Sequence, residues 1–256
     1  MEKVYNDYFK AGEKIIRDIH DTQIENIEKA SQLFARNIAS NGLVHMYGSG
    51  HSRMAVEEVF PRYGSYPGFH PIVELSMTFH NQVVGANGQR QAMFIENIEG
   101  LANRILRNFV FKPEDSFLLF STSGTGNVVI DMALEARERG LPIVAITGVE
   151  NSTKSAAKHS SGKKLLDLAD IIIDTCVPPG DAAVHIDALK YPVGPTSTIA
   201  NTYIVNLIKV RTAELLTQAG QPPLVLTSAH FIGKEASEQI FEETYDDYRR
   251  RVWRNQ

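Results

Sequence analysis

Two short stretches of this 256-residue chain carry glycine and hydroxylic residues at spacings that suit an oxyanion. The first, GSGHS, runs from Gly48 to Ser52 straight after the apolar run LVHMYG. The second, STSGTGN, runs from Ser121 to Asn127 at the end of the apolar run FLLFST. A helix-like pattern follows each at once. Ser52 and the Ser123-Gly124-Thr125 turn therefore lie where helix N-termini expose amide donors and a partial positive charge. Gly50 and His51 sit inside the first loop, so the His51 backbone, with its ring beside it, should face whatever binds. Thr122 and Asn127 belong to the second. A lone serine or threonine ahead of a helix is most often an ordinary N-cap. Two such loops at strand ends of one sheet favour a bound anion instead. Neither is a nucleotide fingerprint. Gly48 and Gly50 fit a dinucleotide loop, but Arg53 stands where a third glycine is needed, and SGKK (161–164) lacks the leading glycine of a Walker motif.

Proton chemistry on a small ligand needs a positioned base. Glu57 and Glu58 are the nearest carboxylates after the first loop. At about 100° per residue, Val56, Val59 and Phe60 share one helix face and Glu58 falls opposite, beside Met54. Solvent, a partner subunit or a ligand could meet that face. His185, in AAVHIDAL, alternates with Val184 and Ile186 and should face away from them, whereas His230 follows another apolar run. A structural role is the commoner fate of such histidines. His70, His80 and Glu96 border the stretch from Ser76 to Asn97, which is too long for an ordinary connection and suits a ligand-facing insertion or lid.

The elements that must position these groups follow from periodicity. From Val4 to about Ser40 the pattern is helical, with Ile24, Ile27, Ala30, Phe34 and Ile38 on one face and Gly42 as a left-handed cap. Unbroken apolar runs at 43–48, 117–122, 142–148 and 171–177, with a weaker one at 71–75, alternate with helical patterns. That alternation predicts an α/β fold, a doubly wound parallel sheet covered on both faces. A long helix starts near Thr196 and a final helix ends the chain. The simplest organisation is an N-terminal helical segment (1–40), a ligand-binding domain (41–219) and a C-terminal extension (220–256).

With GSGHS before a helix, and LLFSTSGTGNVVIDMALEARERGLPIVAITG further on, the chain resembles the SIS (sugar isomerase) domain over roughly residues 24–215. That family includes phosphoheptose isomerases, the isomerase half of glucosamine-6-phosphate synthase, N-acetylmuramic acid 6-phosphate etherases and sugar-phosphate-sensing domains of regulators. The resemblance implies a five-stranded flavodoxin-like sheet and a phosphosugar held by both loops. Ser52 matches the serine of the family's first loop, and Ser121 and Ser123 match the two phosphate-binding serines of its second. Thr125 takes the place of a further serine, and Thr196 and Ser197 fall near the ligand at the start of the closing helix. Glu58 matches the catalytic glutamate of the phosphoheptose isomerases, which bind zinc through it, a histidine one turn earlier, and a glutamine and a histidine on the later helix. Here the earlier position is Met54, and STIANTYIVNLIKVRTAELL contains neither histidine nor glutamine. No metal or other cofactor is therefore expected. The implied activity is aldose-ketose isomerisation of a sugar phosphate through an enediol, with Glu58 as base. The competing implications are a binding module that senses a sugar phosphate, or an etherase-type lyase. SIS domains generally work as dimers or tetramers, in which His185 could complete a neighbour's site.

Composition narrows the partners. A net charge of −4 with interspersed charges argues against nucleic acid. The single cysteine, Cys176, rules out an intrachain disulfide framework and reads as a structural thiol. No apolar run approaches a membrane span and no leader pattern opens the chain, so a cytoplasmic protein is expected.

Overall fold

The N-terminal pattern folds as one unbroken helix, α1 (Glu2–Ala39), in a computed structural model that describes residues 2–78 and 88–253. Ile27, Ala30, Phe34 and Ile38 are buried along it as their spacing predicts, but Ile24 is 42% exposed. The left-handed residue after α1 is Asn41 (φ 65°), not the expected Gly42. Gly42 is needed for a different reason: a Cβ there would run into the Glu114 carbonyl.

The chain continues β1 (Val44–Gly48), α2 (Arg53–Val59), β2 (Phe69–Ile72), α3 (Gly88–Ile95), α4 (Leu101–Leu106) and β3 (Ser116–Phe120). Then come α5 (Asn127–Glu138), β4 (Ile143–Thr147), α6 (Val149–Lys154), α7 (Leu165–Leu168) and β5 (Ile171–Asp174). The last elements are α8 (Ser197–Gln218), α9 (Ala229–Ile232) and α10 (Lys234–Val252). Among the described residues the sheet has five strands in the order β2-β1-β3-β4-β5, all parallel. The weak strand expected at 71–75 lies two residues earlier, paired through Val44↔Phe69 and His45↔His70.

Strand side chains divide between two cores. Met46, Leu118, Phe120, Val144 and Ile146 pack against α1, α2 and α8. Tyr47, Phe117, Leu119, Ile143 and Ala145 pack against α4, α5 and α7. Apolar residues on both faces are what a doubly wound sheet requires, and they explain why the strands read as unbroken runs. The order reverses between β1 and β3, so the crevice beyond their carboxyl ends is the topological switch point where such sheets take ligands. Both hydroxyl-rich loops open there.

Within the expected insertion, α3 and a short 3-10 turn at Leu75–Met77 are present; residues 79–87, His80 among them, lie outside the described residues. Among the described residues no helix is long and apolar enough to cross a membrane.

Candidate anion site at the β1–β3 crevice

The loop after β3 is held in shape by bonds to its own carbonyls and hydroxyls. Three of its carbonyls are tied. Ser121 O accepts from the Thr147 hydroxyl at 2.6 Å, Thr122 O from the Gly148 amide at 3.2 Å, and Gly124 O from the Leu165 amide at 2.9 Å. Inside the loop Ser121 Oγ accepts from the Gly124 amide at 3.1 Å, and Ser123 Oγ from the Thr125 hydroxyl at 3.1 Å. Both serine oxygens are used as acceptors, which leaves their hydroxyl protons to donate. Gly124 makes the turn possible: its φ is +63°, and a Cβ would stand 2.6 Å from Ser152 Oγ. Thr125 is not a helix cap. The N-cap of α5 is Gly126, and no side chain bonds the helix end there.

The loop after β1 passes through a 3-10 turn, Gly50–Ser52, directly into α2, and Ser52 makes no capping bond. Gly48 allows this tight entry, because a Cβ would meet the Ser52 carbonyl oxygen at 2.8 Å. His51 is exposed, Ser52 half-buried and Gly50 buried.

Glu96, just past α3, joins the two loops. Ser49 Oγ donates to its carboxylate at 2.6 Å, and its main-chain carbonyl accepts the Val128 amide in the first turn of α5 at 3.1 Å. Asn127 Nδ2 donates to the next carbonyl, Asn97 O, at 2.8 Å, while Asn127 Oδ1 is buried without a hydrogen-bond partner. Burial holds the Glu96 carboxyl above the usual carboxylate range; the Ser49 bond and nearby Lys158 offset part of that rise. Glu96 was visible in the sequence only as a neighbour of the insertion. Lys158 carried no sequence signal at all.

Glu58 lies further along α2. Its carboxylate accepts from Arg62 at 2.7 Å and from Asn206 Nδ2 of α8 at 3.1 Å. Buried Lys209 approaches the same group, and desolvation lowers its pKa, with Glu58 opposing the fall. Met54, one turn before Glu58, approaches Thr198 Oγ1 at 4.0 Å. The α8 positions facing Met54 and Glu58 are thus a threonine and an asparagine. A thioether, a hydroxyl and an amide beside one carboxylate are not a zinc donor set. Among the described residues no group of three His, Cys, Asp or Glu side chains could hold a metal ion.

Thr196 and Ser197, at the start of α8, are already bonded to a carboxylate of the chain itself. Asp181 Oδ1 accepts from their amides at 2.9 and 2.8 Å, and both hydroxyls also bond to Asp181. Nothing in the sequence pointed to that pairing across 15 residues.

The structure does not bring His185 to the loops. It is exposed on the wall of a separate cavity of about 790 Å³, between α1 and the segment after β5, with Asp18, Glu150, Asp174 and Cys176. Val184 is buried and bridges to Val193, but Ile186 is exposed, so the expected alternation holds for one neighbour only. The Cys176 thiol is pushed up, mainly by burial and then by Asp174. His70 lies toward the amino ends of the strands, where Nδ1 meets Tyr248 Oη at 2.7 Å. His230 is exposed on α9.

The fold is that of an α/β protein with two hydroxyl-rich loops at the switch point of its sheet. The sequence signature of the SIS domain matches residues 7–148, and the chain belongs to that family. A UPF0309 protein of Thermoanaerobacter pseudethanolicus is 34% identical over 243 residues, covering 93% of this chain and 96% of its own. Another, of Halalkalibacterium halodurans, is 30% identical over 244 residues, covering 95% and 98%. Among solved structures, the phosphoheptose isomerase GmhA of Neisseria gonorrhoeae superposes with a TM-score of 0.54 at 14% identity, over 84% of this chain and 98% of its own. A phosphoheptose isomerase of Francisella tularensis gives 0.54 at 15% identity, over 82% and 96%. At such identities the likeness is one of fold.

Proposed function

We propose that the protein holds a sugar phosphate in the β1–β3 crevice and interconverts its aldose and ketose forms through an enediol. The observation that carries this reading is the loop after β3, whose carbonyls accept from Thr147, Gly148 and Leu165 and whose Ser121 and Ser123 oxygens accept within the loop, which leaves two hydroxyl protons to offer an anion. Ser121, Thr122, Ser123, Thr125 and Asn127 take the phosphate, with Gly50, His51 and Ser52 closing the opposite side. Such a cradle costs no reorganisation on binding.

Glu58 is six residues past Ser52, about 9 Å along the helix, which suits the far end of a phosphosugar chain. In this reading Glu58 removes the proton between the reacting carbons, and Glu96, whose pKa burial raises, donates one to the sugar oxygen. Two carboxyl groups in unlike environments divide acid and base roles in this way. Thr196 and Ser197 wall the crevice through the turn that Asp181 holds. His185 serves a neighbouring subunit's site in a homodimer or homotetramer. The bonds from Arg62 and Asn206 to Glu58 favour a second reading, in which the sugar phosphate is bound and sensed without turnover. An etherase-type elimination would use the same base.

Thermal shift against a panel of sugar phosphates, each beside its parent sugar, is the first test. A rise with one phosphate and not its sugar is the expected result. Incubation of that phosphate in deuterated water then separates the readings. Deuterium entry at C2, lost in Glu58→Gln with binding retained, supports isomerisation; binding without exchange supports sensing. No shift with any member of the panel removes the phosphosugar reading.

A further inference from the structure

Lys209 takes no part in the chemistry above, yet it is a buried ammonium, 5% exposed in the interior of α8. Its Nζ donates to the Glu58 carbonyl at 3.0 Å and to Ser65 Oγ at 2.8 Å, and lies 3.9 Å from Glu58 Oε1. The same Oε1 accepts from Asn206 at 3.1 Å, while Arg62 takes Oε2 at 2.7 Å. A cation is removed from water at a cost that only close pairing offsets. At this junction the pairing falls on one carboxylate and on the carbonyl beside it.

The junction has a recognisable layout. Met54 and Glu58 are one turn apart on α2, and Thr198 and Asn206 meet them from α8. Two facing helices with one carboxylate and three adjacent positions could frame a zinc site, yet the other three side chains are not the imidazole, thiolate or carboxylate donors that zinc takes. We propose that the Lys209 ammonium stands in for a metal ion as the buried countercharge of Glu58, with the exposed Arg62 on its other oxygen, so that the α2–α8 junction is built to exclude zinc. Lys209 is then a positioning residue that holds Glu58 by charge. The inference rests on the proposed function only in treating Glu58 as a site residue.

The test uses zinc and no sugar, so its failure is separable from failure of sugar-phosphate binding. Apo protein is titrated with zinc by calorimetry as wild type and as Glu58→Gln; the two isotherms are expected to coincide. Met54→His with Asn206→His then supplies two donors beside Glu58 while Lys209 remains. Adding Lys209→Met to that pair is expected to tighten zinc by about tenfold or more, because a like charge at this range opposes the metal. Circular dichroism checks each fold, and Lys209→Gln replaces the methionine variant if that one is unfolded. Zinc uptake by wild type that Glu58→Gln abolishes overturns the proposal. So does equal zinc affinity with and without Lys209, or no zinc binding by the triple variant.

Discussion

The Ser49 hydroxyl donates to the Glu96 carboxylate at 2.6 Å across 47 residues of sequence. Through its main-chain carbonyl Glu96 also takes the Val128 amide at the start of α5. One residue therefore ties the loop after β1 to the helix that follows the loop after β3. A crevice braced in this way should pay a lower ordering cost on binding a ligand.

Glu96 should make stability pH-dependent in a direction opposite to most carboxylates. Its folded pKa lies above the unfolded value, chiefly through burial. Between the two values the native state keeps a proton that the unfolded chain has lost, so stability falls as pH rises. The favourable contribution is complete below about pH 4.3 and is lost as pH climbs through the folded value. Glu96→Gln should thus melt higher than wild type at pH 7 and converge with it in acid. Ser49→Ala removes a bond to the charged form and should carry the wild-type decline to higher pH. Parallel melting curves for wild type and Glu96→Gln would show that Glu96 is not desolvated.

Removing the loop hydroxyls should cost affinity and little stability. Ser121 and Ser123 accept within their loop, so each hydroxyl proton is left to donate to a ligand, and a hydrogen bond to a charged group is worth about 1.5–3 kcal/mol. Ser121→Ala with Ser123→Ala should weaken binding of a responsive sugar phosphate by roughly a hundredfold or more. The parent sugar should be unaffected. Gly124→Ala is the contrasting change. It combines a positive φ with a Cβ against Ser152 and should destabilise the fold by about 1–3 kcal/mol in a denaturant titration.

Strand and helix alternation was legible because each strand is covered on both faces and so reads as an apolar run. The two candidate loops were legible as turns at strand ends because their pattern is local: glycine, serine and threonine within seven positions. What escaped were groups whose meaning is set by distant partners. His45 is 1% exposed inside a strand, where its ring meets Asp115, 70 residues away, at 3.1 Å. Glu96 gains its environment from β1 and α5, and Asp181 finds α8 across a loop. No periodicity encodes such pairings. Ile24 failed for a related reason: helical spacing gives a face, but which turns of a long helix are covered depends on what α8 and β5 reach.

Asp181 should be a stabilising acid. Its carboxylate meets the Thr196 and Ser197 amides at 2.9 and 2.8 Å, where a helix N-terminus favours negative charge. It holds this place despite a positive φ of 50°, which costs energy for a residue other than glycine. Asp181→Ala should lower unfolding stability by about 1–2 kcal/mol. Asp181→Gly relieves the backbone while losing the same cap, so the difference between the two variants measures the strain. If both variants unfold with wild type, α8 does not depend on this cap.

The last expectation concerns the face of α5 away from the sheet. Asp131 is buried and accepts from both sides: the Gly100 amide at 2.6 Å through Oδ2, and the His159 imidazole at 2.9 Å through Oδ1. Gly100 ends the segment that begins with Glu96. His159 lies in the loop that also carries Lys158, and Ser160 of that loop bonds Glu99. One carboxylate therefore fixes the Glu96 segment and the 155–164 loop against the helix that starts the anion cradle. Asparagine keeps the shape but offers a single acceptor oxygen, so Asp131→Asn must leave one of the two donors unsatisfied or facing another donor. A cost of about 1–3 kcal/mol follows for a buried group left without its partner. The same variant should loosen sugar-phosphate binding, although Asp131 touches no loop serine, because Glu96 and Lys158 lose their common anchor. Denaturant titration and a binding isotherm on the one variant decide it. A stability loss with unchanged affinity would mean that the anchor supports the fold and not the crevice.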